Sequence, residues 1–262
     1  MNLTKIVLLA IGYLLGFQEV FSQEFSGVYT YRFDARFDKD TSRITRRFCE
    51  LTVYQNQSEY RTVDMTQLGS QDTENSKSIL AAKSSTHGIF KDFTRGKIVS
   101  RESAYTETFC VEDSLIPIAW KTTNEKRKIG EWQCEKAEAQ VRGRAYEVWF
   151  APDIPLEDGP WKLYGLPGLI LEAESKDGRI TILLQKYEPL TTPFNKRPVC
   201  QFGSTYSITS KELGKRLEKN INNYIKMKNS EPLDKGVTSR NIQIAYTNIE
   251  VFPFQQEKNN EK

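Results

Sequence analysis

The sequence predicts a mostly β domain of the α+β kind. The expected architecture is an antiparallel meander forming a curved sheet or open half-barrel, with one amphipathic C-terminal helix. Three observations carry this. Aromatic residues make up 11% of the chain, twelve of them tyrosines, a composition that favours strands. Short alternating segments recur with turn residues between them, the spacing of a meander. One stretch, 209–228, stands out with a capped helical period.

Residues 1–22 read as a signal peptide. Lys5 charges the start, and Ile6 to Phe17 is an apolar run, shorter than the roughly 20 residues that span a bilayer. Val20-Phe21-Ser22 offers a cleavage site, so the mature chain begins at Gln23. No cysteine follows the run for lipidation, and no later apolar run reaches spanning length. The expectation is a soluble or peripheral single β-rich domain over 23–254, with a disordered tail at 255–262. The 37 basic and 34 acidic side chains leave a net charge of +3, which does not advertise nucleic-acid binding.

The elements follow in order. Val28 to Phe33 alternates, with Tyr29, Tyr31 and Phe33 on one face. Asp34 to Arg46 is charged and reads as a loop. Phe48 to Tyr54 alternates again and puts Cys49, Leu51 and Val53 together. A third short strand covers 59–63, and the polar stretch 66–78 reads as a long surface loop. Strands resume at 89–93, 97–100, 106–111, near 119–121, at 132–136 and at 146–150. Leu169, Leu171 and Ala173 alternate with Ile170, Glu172 and Glu174, the pattern of a half-buried strand. Ser175-Lys176-Asp177-Gly178 turns the chain into 179–187, a hairpin with glycine at its left-handed position. Thr209-Ser210-Lys211-Glu212 has the capping-box pattern. Leu213, Leu217, Ile221, Tyr224, Ile225 and Lys228 then fall at helical spacing, a stripe expected to pack inside the curve of the sheet. Ile242 to Tyr246 reads as a returning strand.

The stretch Gly165-Leu166-Pro167-Gly168-Leu169-Ile170 is the centre of the chain. Pro167 and Gly168 fit the second and third positions of a type II turn, with positive φ at Gly168. Gly165 suits a close backbone approach. This hexapeptide resembles the name-giving motif of the GLPGLI family. The resemblance extends to Ile129-Gly130-Glu131-Trp132-Gln133-Cys134-Glu135-Lys136-Ala137, to Gly143 through Phe150, to Asp153-Ile154-Pro155 and to Gly159-Pro160-Trp161. It implies an exported protein of a Gram-negative bacterium, of a kind without a settled activity and often encoded beside TonB-dependent receptors. The open half-barrel is an analogy with periplasmic lipoprotein carriers, and fold does not fix function.

The candidate sites are few. Cys49, Cys110, Cys134 and Cys200 suggest two disulfides in an exported chain, with three pairings open. They lack Cys-x-x-Cys spacing and the chain has one histidine, His87, so neither a zinc site nor a thiol or serine nucleophile with a histidine base is expected. No cofactor motif occurs. Asp153, Glu157 and Asp158 could act as paired carboxylates of a glycosidase, with Trp149 and Trp161 as platforms. Acidic residues also populate turns because they are solvated there. Trp120, Trp132, Trp149 and Trp161 would be core, or would line an apolar site on a concave face. Three functions follow as expectations: an accessory to an outer-membrane receptor or transporter, a carrier of an apolar ligand or peptide, and a hydrolase using the acidic turn.

Overall fold

The structure, a computed structural model, describes residues 25–36, 44–63, 88–104, 107–190, 199–200 and 207–230. The signal segment 1–22, the loop 66–78, His87, the strand expected at 242–246 and the tail 255–262 lie outside the described residues.

The strands are β1 (Gly27–Arg36), β2 (Ile44–Tyr54), β3 (Gln57–Val63), β4 (Gly88–Asp92), β5 (Lys97–Ala104), β6 (Glu107–Ser114), β7 (Lys121–Ile129), β8 (Trp132–Val141), β9 (Arg144–Ala151), β10 (Leu169–Ser175), β11 (Ile180–Pro189) and β12 (Ser207–Ile208). Among the described residues one helix, α1, spans Ser210–Ser230. The strands form one open sheet in the order β12-β6-β5-β4-β3-β2-β1-β11-β10-β9-β8-β7. Two meanders, β1 to β6 and β7 to β11, meet at the antiparallel β1–β11 seam. Among the described residues only the β12–β6 pair is parallel.

The connectivity itself requires curvature. The strands β6 and β7 lie ten steps apart in the sheet, about 48 Å at the usual strand spacing. The chain joins them through residues 115–120 alone, a connection that reaches at most about 25 Å when fully extended. The sheet must therefore bend until its two ends approach. The 115–120 segment is a strap across the mouth of the resulting trough.

Cross-strand pairs confirm the alternating faces. Tyr31 sits opposite Cys49 and Tyr29 opposite Leu51, all of them buried. Leu51 pairs with Tyr60 and Tyr60 with Ile89, which continues the concave apolar row. The Gly178 hairpin forms as expected, with φ 68° at Gly178. At α1, the Thr209 hydroxyl accepts the Glu212 amide at 3.2 Å, the expected N-cap. The Glu212 carboxylate pairs with Arg216 at 3.1 Å along the helix.

Three expectations need correction. The strand near 119–121 is the end of the strap, and the real strand is β7. Its sequence, KTTNEKRKI, is exposed along most of its length; an edge strand with no core face has no alternation to read, and its charges guard the open edge. The 34–46 stretch is strand at both of its ends, through Arg36 and again from Ile44. The helix does not lie in the trough. Leu213, Leu217 and Ile221 form a separate small core with Phe109, Val111 and Ile208, at the β6 end of the sheet.

Candidate functional site

What fills the trough is the long connection 152–168 between β9 and β10. It has no regular secondary structure, yet Ile154, Leu156, Trp161, Leu163 and Leu166 belong to the main core. A buried irregular backbone must find a partner for each polar group. The Ile154 amide donates to Ala151 O at 3.1 Å, Gly165 to Glu157 O at 2.9 Å, Leu169 to Ile154 O at 3.0 Å and Ile170 to Asp158 O at 3.0 Å. The connection is a plug bonded largely to itself.

Two ion pairs of opposite polarity pin the plug to the first meander. Lys91 of β4 pairs with Asp158, and its ammonium also donates to Gly159 O at 2.7 Å. Lys162 of the plug pairs with Glu102 of β5 at 2.9 Å. Lys91 and Lys162 are both buried. The strand register explains their positions. Val53, Ser58, Lys91, Ile98 and Asp113 lie opposite one another from β2 to β6, so Lys91 projects with the core-facing residues. Glu102 shares the parity of Ile98. Burial pushes the Lys91 ammonium below its ordinary pKa, and Asp158 opposes the shift. The Gly159 amide donates to Asp158 Oδ1 at 2.7 Å. Such pairs add little net stability, but they penalise wrong docking because a displaced plug leaves buried charges alone.

The central hexapeptide closes the plug, and the close backbone approach expected at Gly165 falls at Gly168 instead. Gly165 has φ 87°, and a Cβ there would meet nothing. Gly168 has φ 159°, and a Cβ there would lie 2.3 Å from Ala151 O. The turn is not type II. The Gly168 amide donates to Leu166 O at 2.8 Å, a γ-turn centred on Pro167. The Leu169 amide goes to Ile154 instead. Leu169 and Ile170 are fully buried, and Tyr31 donates its hydroxyl to Ile170 O at 2.8 Å.

The acidic trio is divided. Asp158 is buried and paired, while Asp153 and Glu157 are exposed. The tryptophans are divided too. Trp161 is buried, its ring centroid 6.0 Å from that of Tyr146, with φ 55° where a bulky residue is strained. Trp120, Trp132 and Trp149 flank the core. Trp149 lies under the Arg127 guanidinium, which is 4.2 Å from its ring centroid. Of the cysteines, Cys110 and Cys200 form a disulfide, whereas Cys49 and Cys134 are free and buried. This corrects the expectation of two bridges. Cys49 on β2 and Cys134 on β8 are five strands apart, about 24 Å along the sheet. Burial raises both thiols, Cys134 to about 11, so neither is a ready nucleophile. Among the described residues no group of carboxylate, cysteine or histidine side chains could hold a metal ion.

Lys91, Glu102 and Lys162 escaped the sequence reading. A lysine sharing strand parity with Ile89 was the available signal for Lys91. Nothing local marks Lys162.

The mouth is drawn together by further bonds at and beside the strap. Arg142, in the β8–β9 turn, pairs with Asp113 of β6 at 3.0 Å and donates to the Ser210 hydroxyl at 2.7 Å. Tyr164 of the plug donates to Ile116 O at 2.6 Å, and Trp120 donates its indole N–H to Tyr164 O at 2.8 Å. The sheet thus becomes a plugged, strapped half-barrel whose interior is its own core.

Residues 142–172 match a family described as "Protein of unknown function (Porph_ging)". That span is β9, the plug and the first part of β10. No curated protein matches. Eight solved chains match in fold. One, "Structure of PNGF-II in C2 space group", superposes with a TM-score of 0.50 at 13% identity, over 74% of this chain and 33% of that one. A second, "Structure of PNGF-II in P21 space group", gives 0.49 at 13% identity over the same shares of 74% and 33%. The likeness is one of fold alone, and this chain spans about a third of the length of those structures. Among the described residues no helix is long and apolar enough to cross a membrane.

Proposed function

We propose that the chain is an exported, non-catalytic interaction protein of the GLPGLI family, accessory to an outer-membrane receptor or transporter of the TonB-dependent kind. The observation that carries this reading is the plug. The concave face that a carrier would offer to an apolar ligand is packed with the chain's own Ile154, Trp161, Leu163 and Leu166. Of the carboxylates that a hydrolase would pair, Asp158 is committed to Lys91. The remaining working surface is the outside of the molecule. The Cys110–Cys200 disulfide suits an oxidising compartment, in keeping with the signal-like residues 1–22.

The test is crosslinking in intact cells of the source organism, followed by gentle solubilisation and mass spectrometry. The expected product is a stoichiometric complex with an outer-membrane receptor. A protein recovered alone with a bound small molecule would replace this reading with the carrier. Turnover of a glycan that is lost in the Asp153→Asn, Glu157→Gln double variant would replace it with the hydrolase.

A further inference from the structure

The Lys91–Asp158 pair is dry on both sides. The Lys91 side chain is 0% exposed and that of Asp158 3%. Lys162 is nearly as buried, but its partner Glu102 keeps 26% of its side chain in water. Water solvates the Glu102 carboxylate and does not reach Asp158 in that way. Two opposite charges sealed in a core persist only against a large desolvation cost.

As ions, both groups are short of partners. An ammonium has three N–H bonds to donate. Lys91 donates to Asp158 Oδ1 and to Gly159 O, and among the described residues it has no third acceptor. Asp158 Oδ1 also accepts the Gly159 amide at 2.7 Å. Asp158 Oδ2 is buried with no partner, a costly state for a charged oxygen.

An amide between the two side chains removes each deficit. Its single N–H keeps the Gly159 carbonyl, 2.7 Å from Nζ. Its carbonyl, the former Oδ1, keeps the Gly159 amide. The orphan Oδ2 departs. The reacting atoms are in place. Nζ touches Oδ1, and Cγ is one bond of about 1.2 Å beyond, close to the roughly 3–3.5 Å at which bound groups react. Both partners are held. Lys91 lies on β4, between β3 and β5, and the Asp158 backbone carbonyl accepts the Ile170 amide at 3.0 Å. Burial lowers the Lys91 pKa against the opposing pull of Asp158, which favours the neutral amine, the form that attacks.

We infer that Lys91 and Asp158 are a modification site, at which the chain closes an intramolecular isopeptide bond between β4 and the plug. The ion pair and the neutral amine–acid pair hold the same protons, and the dry core favours the neutral one. The Nζ lone pair attacks Cγ and the Nζ–Cγ bond forms, with the charge on Oδ1 facing the Gly159 amide. The Cγ–Oδ2 bond then breaks, and Oδ2 leaves as water with the acid proton and one amine proton. Nothing is oxidised or reduced. Among the described residues no further acid or base touches the pair, so freshly folded chain holds the ion pair and closure proceeds on standing. The link spans 67 residues of sequence and is independent of the interaction reading above.

Intact mass spectrometry of the purified mature chain, reduced and denatured after days at physiological temperature, tests it. The expected mass is lower than that of the sequence by one water. Digestion with trypsin should give a branched peptide, uncut at Lys91, that joins it to Asp158. The Lys91→Met, Asp158→Leu double variant should give no branched peptide and no such loss. A parent chain at full sequence mass overturns the inference. So does a water loss mapped to a succinimide at Asp158-Gly159 or Asp177-Gly178, with Lys91 still cut by trypsin. The decisive reading is taken on the parent chain and does not depend on the variant folding.

Discussion

The plug and the helix α1 both cover part of the sheet, and they do it by opposite means. The helix satisfies its own backbone, so docking asks of it only a stripe: Leu213, Gly214, Leu217 and Ile221 are buried. The plug has no such internal ladder. It sends Ile154, Leu156, Trp161, Leu163 and Leu166 into the core and fixes its backbone with individual bonds to Ala151, Ile154, Glu157 and Asp158. A helix stripe can shift slightly and still pack. A loop held by the buried Lys91–Asp158 pair, by the buried Lys162 on a half-buried Glu102, and by a backbone contact at Gly168 cannot. The plug region should therefore be intolerant of small changes, and the helix end tolerant of them except at its staple.

The largest expected effect tests the plug. Lys91→Met leaves Asp158 buried without its partner and should cost about 3–5 kcal/mol. The double variant Lys91→Met with Asp158→Leu should recover most of that loss. Urea unfolding followed by tryptophan fluorescence measures both. A single variant as stable as the double would mean that the pair does not hold the plug.

The staple comes next. Cys200→Ser removes the bridge to Cys110, across 90 residues of sequence, and should cost about 2–4 kcal/mol. Hydrogen exchange should quicken in α1 and β6 while the plug amides stay protected. Equal acceleration in both regions would show that they form one cooperative unit.

The two glycines give a finer test. Gly168→Ala forces a methyl against the Ala151–Pro152 backbone and should cost about 1–3 kcal/mol. Gly165→Ala meets no atom and pays only for its positive φ, about 1 kcal/mol. Thermal melts in the reverse order would restore the type II turn.

The smallest effect concerns the clasp at the mouth. Burial alone would raise the Asp113 carboxyl, but hydrogen bonds from Ser210 and Arg142 outweigh it and hold the group below its ordinary pKa. A carboxylate depressed in this way stabilises the fold above its unfolded pKa, about 3.9, and the contribution disappears as pH falls through the folded value. Asp113→Asn should cost on the order of 1 kcal/mol at neutral pH and should flatten the acid side of a stability–pH profile. An unchanged acid limb would assign acid unfolding to other carboxylates.

Much of the sheet was legible because strand faces alternate with a fixed period. Placing Tyr29, Tyr31 and Phe33 on one face of β1, and Cys49, Leu51 and Val53 on one face of β2, all of them buried, needed no more than that. The strand β7 was not legible, because an exposed edge has no apolar face to alternate. The importance of 165–170 was legible, but the mechanism was not. Pro-Gly in sequence says "turn", and only the approach of Ala151 says why a side chain is excluded at Gly168.

By itself, the sequence determined the strand faces, the Gly178 hairpin and the Thr209 cap, because each follows from sterics and hydrogen bonding within a few residues. Tertiary structure alone decided that a loop rather than the helix enters the trough and that Cys110 bridges to Cys200. It also decided that Lys91 and Glu102 meet Asp158 and Lys162. Those outcomes depend on which distant strands the curved sheet brings together, and no local pattern encodes that distance.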